Sequence, residues 1–199
     1  MIIYLVRHGQ SEANISNYYQ GQLDTHLTQE GFEQAQKLAQ RFKGINDFEI
    51  IYTSDSKRAY DTAKAIYRFY QDKEFIASTL IRERSHGEFH GKDKLKHKFE
   101  DLEEKDLFLR KPPQGENFYG HVKRVEEFLV PILENEQNCV IVSHGGTIRI
   151  LLYIFKQLSK EDFFTNSSKS KNTSVYKFKI THDKVEMLLE NCTKHLEEM

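Results

Sequence analysis

The stretch Ile2-Ile3-Tyr4-Leu5-Val6-Arg7-His8-Gly9 decides how this chain is read. Five consecutive apolar residues, three of them β-branched, are the pattern of a strand buried on both faces, as in a parallel sheet. The run stops at a charged residue, a titratable residue and a glycine. In open α/β sheets ligands sit outside the carboxyl ends of the strands, so Arg7 and His8 become candidates for a site. A later apolar run, Cys139 to Val142, ends the same way in Ser143-His144-Gly145-Gly146. Glycine after each histidine lets the backbone approach a ligand closely with its N–H free to donate.

Outward from these two runs, helices and strands alternate. Thr28 is a candidate N-cap for a helix with Phe32, Ala35, Ala39 and Phe42 on one face. Phe48 to Tyr52 reads as a second strand ending at Thr53-Ser54, followed by a helix carrying Ala59, Ala63, Ile66 and Tyr70. Phe75 to Ile81 reads as a weaker third strand. Residues 92 to 110 mix Lys and Glu with Leu95, Phe99, Leu102 and Phe108, which predicts a helical insert broken at Pro112-Pro113-Gln114-Gly115. A helix follows from about Asn117 past Leu133, with Phe118, Val122, Val125 and Phe128 inward and Pro131 expected to kink or shorten its end. The spacing predicts another helix over Thr147 to Phe155 and a solvated loop over Thr165 to Ser174. Val175 to Ile180 and Val185 to Leu189 then pair around Thr181 to Lys184. The pattern is α/β with a mainly parallel sheet, made mixed by the terminal strand pair.

The chain of 199 residues suits one domain over 1–199, with a helical, substrate-facing insert around 84–118. Its 29 basic and 30 acidic residues give a net charge of -1, which argues against nucleic acid or an anionic membrane as partner. Two cysteines exclude a disulfide scaffold and a cysteine zinc finger. No apolar run approaches the ~20 residues of a membrane span, and the N-terminal run is too short for a signal-peptide core. A soluble cytoplasmic protein with reduced thiols, monomeric or homodimeric, is expected.

Further strand ends supply Ser54 with Arg58 one turn into the next helix, and Glu83 followed by Gly87 and Gly91. Two arginines, two histidines and nearby helix N-termini suit a dianionic phosphoryl group. A neutral imidazole can serve as nucleophile, and a single carboxylic acid can protonate a leaving alkoxide. No metal and no cofactor is required. Taken singly these residues are weak signals: Arg-His-Gly after a strand is usually a loop start, and Arg58 alone is most often a solvated helix residue. Their order along the chain, each at a strand end, carries the argument.

Several blocks make the chain recognisable. They are Leu5-Val6-Arg7-His8-Gly9-Gln10-Ser11-Glu12-Ala13-Asn14, Gln20-Gly21 with Asp24 and Leu27-Thr28, and Tyr52-Thr53-Ser54 with Arg58-Ala59 and Thr62-Ala63. Ile81-Arg82-Glu83 with Gly87 and Gly91, Gly115-Glu116-Asn117 with Arg124, and Ser143-His144-Gly145-Gly146 with Arg149 complete them. The set resembles the histidine phosphatase superfamily, the phosphoglycerate-mutase-like family, over nearly the whole chain; Phe89 stands where many members have Trp. The resemblance implies a three-layer α/β/α fold and a phosphomonoester hydrolase of a small phosphorylated metabolite. His8 would become phosphohistidine. Arg7, Arg58 and His144 would hold the phosphoryl oxygens, helped by Asn14 and the Gly145 N–H. Glu83 would be the proton donor, Ser11 and Gln20 would stand at the rim, and Gly21 and Arg84 would bind substrate with them.

The nearest alternative is a cofactor-dependent phosphoglycerate mutase. Glu83-Arg84 and Lys92 are partly mutase-like, but Glu100 to Lys111 offers only Arg110-Lys111 where paired arginines are expected. A non-catalytic phospho-ligand module would have lost the nucleophile or the acid, and neither is missing. His86-Gly87-Glu88-Phe89-His90 superficially suggests zinc, but the order is not His-Glu-x-x-His and Gly87 disfavours a helix. His86 and His90 are expected at the pocket mouth or facing water.

Overall fold

The computed structural model describes residues 1–165 and 169–197. In chain order the elements are β1 (Ile2–Arg7), α1 (Glu12–Ile15), α2 (Gln29–Phe42), β2 (Ile50–Ser54), α3 (Lys57–Tyr67) and β3 (Glu74–Ser78). Then come α4 (Phe118–Glu134), β4 (Cys139–Ser143), α5 (Gly145–Phe155), α6 (Lys160–Thr165), β5 (Val175–Ile180), β6 (Val185–Cys192) and α7 (Lys194–Glu197). The strands form one sheet in the order β3-β2-β4-β1-β5-β6. The first four run parallel, and the terminal hairpin adds two antiparallel strands through β5 against β1.

Alternation along the central strands builds a core on each face. Ile3 and Leu5 of β1 join Phe118, Val125, Phe128 and Ile132 of α4 and the apolar side of α5. Tyr4 and Val6 point the other way, to Leu38 and Phe42 of α2 and Ala63 and Ile66 of α3. This is the three-layer arrangement. Helix α2 begins at Thr28, whose hydroxyl accepts from Gly31 N at 3.0 Å. Its buried stripe is Gly31, Ala35, Leu38, Ala39 and Phe42; Phe32, expected inward, is 43% exposed. Asn117 caps α4 through Gly120 N at 2.8 Å, and Pro131 falls in that helix's last turn. Helices α6 and α7 were not anticipated. The expected loop over Thr165 to Ser174 falls partly outside the described residues. Among the described residues no helix is long and apolar enough to cross a membrane.

The insert departs from expectation. Residues 84–117 are not helical beyond two single 3-10 turns, Gly87–Phe89 and Phe99–Asp101. Gly87 (φ 48°) and Gly91 (φ 73°) take left-handed backbone that ends any helix. Short acidic side chains then capture backbone donors that a helix needs: Asp93 from Leu95 N at 2.7 Å, Glu104 from Asp106 N at 2.8 Å, and Asp106 from Phe108 N at 2.8 Å. The helical spacing of the apolar residues serves aromatic clusters instead. Phe99 meets Tyr19, His86 and Phe89, while Phe108 meets Phe118 and Phe164.

Candidate active site

Strand register brings the two histidines together. Arg7 of β1 is level with Ser143 of the parallel neighbour β4. The next residues, His8 and His144, leave the sheet side by side with ring centroids 5.2 Å apart. The His8 N–H donates to Ser143 O at 2.9 Å. On the other side of β4, Ser54 ends β2 with its hydroxyl 2.9 Å from His144 Nε2. Helix α3 delivers Arg58, and the turn after β3 delivers Glu83. These neighbouring strand ends enclose a cavity of about 320 Å³ lined by Arg7, His8, Asn14, Arg58, Glu83 and Gly145, among others.

His8 is held in one tautomer. Its Nδ1 lies 2.6 Å from Gly9 O, which can only accept, so Nδ1 carries the proton and Nε2 keeps its lone pair. Burial, then the charges of Arg7 and Arg58, hold the ring well below the usual imidazole range, so it is neutral at pH 7. The turn beneath it is clamped on two sides. Gly9 N donates to the Thr62 hydroxyl at 3.0 Å, which donates to Arg58 O at 2.7 Å. The His8 carbonyl accepts from Asn172 Nδ2 at 3.0 Å.

The cations are fixed by backbone carbonyls rather than by carboxylates. Arg58 donates to Leu23 O and Gly21 O, both at 2.8 Å. Gly21 serves by taking a left-handed backbone, φ 50°. With the Gln20 amide turned to satisfy its neighbours, its oxygen accepts from Arg58 Nε at 3.1 Å. Burial lowers Arg58 to about 10, with Glu83 acting against the fall. Arg7 donates to Ser170 O, and its buried Nε has no partner among the described residues. Glu83 accepts from two backbone donors, Arg84 N and Gly146 N, each at 2.8 Å. Glycine at 146 leaves room for this carboxylate, because a Cβ there would stand 2.1 Å from Glu83 Oε1 and push it aside. Asn14 Oδ1 accepts from Ser11 N and Asn172 Nδ2, both at 3.0 Å, which leaves its amide N–H groups free to serve an anion.

Two expectations change, those for Ser11 and His90. Ser11 is fully buried as the N-cap of α1 and, away from the rim, orients Asn14 and Gln20. His144 is also fully buried, beside His8, and its Nδ1 has no partner among the described residues. His86 lines the cavity as expected, whereas His90 Nε2 is occupied by two backbone donors, His86 N at 2.9 Å and Gln22 N at 3.2 Å. That nitrogen cannot also ligate a metal.

Residues the sequence reading missed include Thr62 as a clamp, Asn172, and His121, which lines the cavity and is held neutral with a pKa lowered to about 3 by burial. Thr62 lies one helical turn beyond Arg58, a spacing that shows it on the same face. Nothing in the local sequence of Asn172 signals its reach, because it arrives from 164 residues away.

The family model of the histidine phosphatase superfamily (branch 1) matches residues 3–193. The chain belongs to this superfamily. A Hydrogenobacter thermophilus protein named "Putative phosphoserine phosphatase 2" is 34% identical over 201 residues, covering 90% of this chain and 96% of its own. A 2,3-bisphosphoglycerate-dependent phosphoglycerate mutase of Bartonella bacilliformis is 30% identical, with 88% and 91% covered. The solved alpha-ribazole phosphatase of Shigella flexneri superposes with a TM-score of 0.86 at 25% identity, covering 97% of both chains. This histidine phosphatase therefore shares its α/β fold with enzymes that act on phosphate esters.

Proposed function

We propose that this chain hydrolyses phosphomonoesters of small metabolites through a phosphohistidine on His8. The observation that carries the reading is the 2.6 Å contact of His8 Nδ1 with Gly9 O, which leaves an unprotonated Nε2 in a cavity with Arg7 and Arg58. His8 Nε2 attacks phosphorus and the P–O bond to the leaving group breaks. Arg7, Arg58, the Asn14 amide, the Gly145 N–H and His144 balance the phosphoryl charge, an electrostatic task that preorganised donors perform best. A protonated Glu83 delivers its proton to the leaving oxygen. Water then attacks phosphorus, the P–N bond breaks, Glu83 takes the proton from water, and phosphate departs. Arg84, at the cavity wall, contacts the leaving group.

Hydrolysis is favoured over mutase chemistry by Arg110. Its guanidinium is tied within the insert, donating to Glu104 O at 2.7 Å and Lys105 O at 2.9 Å, rather than lining the cavity. A brief pulse of phosphomonoester is expected to leave acid-labile phosphate on His8, and His8→Ala to abolish both label and phosphate release. Label on another residue overturns the assignment, and dominant conversion of 3- to 2-phosphoglycerate overturns the hydrolase reading.

A further inference from the structure

The cavity extends past the phosphoryl site to a second group of cations, Arg149, which has no part in the mechanism above, and Arg84, which faces the leaving group. Arg149, on α5, lies with its guanidinium 4.2 Å from the Phe163 ring centroid and 5.5 Å from that of Phe164. One terminal nitrogen donates to Phe163 O, while its buried Nε has no partner among the described residues. Arg84 reaches the same cavity over the ring of Phe99, 4.8 Å from its centroid. Among the described residues neither guanidinium has a carboxylate within 4.0 Å, although Arg82 and Arg124 close by are both paired, with Asp55 and Glu116. Burial weakens the hold of Arg149 on its proton, and the charge of Arg84 adds to that effect, so the two like charges interact across the space between them. Glu83 and Glu116 offset part of the charge of Arg84 from a distance, but two half-buried cations that share a cavity with no carboxylate in direct contact among the described residues are a destabilising arrangement. An anion bound between them removes the repulsion and satisfies the free Nε. Phe118, Ile150 and Phe163 line the same cavity and offer apolar contact to a short carbon chain.

Resting on the hydrolase reading, we propose that Arg84 and Arg149 clamp a second anionic group, carboxylate or phosphate, carried by the leaving alcohol of a short-chain phosphomonoester. Arg149 belongs to α5, one turn beyond Gly145, and Arg84 opens the insert, so this clamp joins the helix that follows β4 to the insert across the cavity. The substrate class is thus a phosphomonoester with two anionic ends, and uncharged alcohols are disfavoured leaving groups.

The test separates the clamp from catalysis. Calorimetry would compare three non-hydrolysable phosphonates on the intact protein: 3-hydroxypropylphosphonate, 2-carboxyethylphosphonate and propane-1,3-bisphosphonate. The clamp requires at least one anionic-ended compound to bind about tenfold or more tighter than the hydroxyl-ended one, the scale of one charge-assisted hydrogen bond. The carboxylate and bisphosphonate arms show which anion fits better. In Arg149→Gln and Arg84→Gln the ratio is expected to fall to within about threefold, and in Arg149→Lys to stay between the two, because the charge remains and the fork is lost. Equal affinities in the wild type, or an unchanged ratio in both Gln variants, overturn the clamp. Arg84→Gln carries the test alone if Arg149→Gln does not fold. Turnover of p-nitrophenyl phosphate reads the parent proposal separately. Turnover without anion preference sinks only the clamp, and preference without turnover sinks only the hydrolase reading.

Discussion

Gly146→Ala isolates the role of Glu83 with a single methyl group. The added Cβ would stand 2.1 Å from Glu83 Oε1 and 2.9 Å from its Cδ. Ordinary non-bonded contact is ~3.5 Å, so the carboxylate must retreat by more than about 1 Å. That retreat breaks the 2.8 Å bond from Gly146 N to Glu83 Oε2. The carboxylate ends a flexible side chain, so the fold accommodates the change, and alanine is preferred to glycine in the first turn of α5 by up to ~1 kcal/mol. Stability is therefore expected to hold or rise. A misplacement of ~1 Å costs about 100-fold in rate, within the ~10²–10⁴ range supplied by a general acid. The assay is kcat/KM, which ends at departure of the leaving group, on an alkyl phosphate and on p-nitrophenyl phosphate. The alkyl ester needs a proton on its leaving oxygen, and nitrophenolate leaves without one. The alkyl ester should lose about 100-fold and the aryl ester about tenfold at most. Glu83→Gln should reproduce the pattern, and the double variant should lose little more than either alone. Equal losses on the two esters, or none on the alkyl ester, would refute the placement of the acid.

Thr62→Val is expected to orphan the buried Gly9 N–H, costing ~1–3 kcal/mol, or roughly 2–4 °C of Tm per kcal/mol for a chain of this length. Thr62→Ser should keep both bonds, and a thermal scan of the pair checks the clamp. Vanadate should inhibit competitively and raise Tm, since it engages the folded site alone; inhibition kinetics that are not competitive would contradict the phosphoryl site. Stability should fall with acid below pH 6.5. His86 and His121 are lowered to about 3 and His195 to about 4, in each case chiefly by burial, and burial also holds His8 and His144 well below the usual imidazole range. Between those values and ~6.5 the unfolded chain binds more protons than the folded one, so the contribution of the neutral rings is intact above 6.5 and lost as pH falls. His121 alone accounts for about 2 kcal/mol by pH 5. A flat denaturant midpoint between pH 7 and 5 would contradict these buried neutral rings.

What was legible in the sequence was what repeats at short range. Five apolar residues before Arg7, four before Ser143, and glycine after each histidine mark strand ends without reference to the rest of the chain. The insert misled for the converse reason. Leu95, Phe99, Leu102 and Phe108 have helical spacing, yet Asp93, Glu104 and Asp106 compete locally for the backbone donors a helix needs. Ser11 misled because a hydroxyl beside the nucleophile looks equally suited to touching substrate or to capping a helix, and only burial decides between them. Asn172 reaches β1 through the final packing of the chain, which no local pattern encodes; Arg149 stands in the block after His144, but its contact with Phe163 was not legible there.

The net charge of -1 conceals the feature that makes the site work. Ion pairs elsewhere, such as Arg82 with Asp55 and Arg124 with Glu116, neutralise cations locally. Around the cavity the cations are instead held by neutral oxygens: Arg58 by the carbonyls of Gly21 and Leu23, and Arg7 by that of Ser170. A carbonyl fixes the direction of a guanidinium without cancelling its charge. Four of the five buried side-chain atoms without a partner among the described residues belong to this region: Arg7 Nε, His86 Nδ1, His144 Nδ1 and Arg149 Nε. An unmet buried polar atom costs ~1–3 kcal/mol, so their concentration here marks where a polar ligand has the most to satisfy. His144 illustrates the point. The Ser54 hydroxyl beside its Nε2 can donate to that nitrogen, placing the proton of a neutral ring on the unpartnered Nδ1. A neutral ring in that tautomer keeps an N–H to offer without carrying a charge, which is compatible with its deep burial beside Arg7 and Arg58 and with the role proposed for it above.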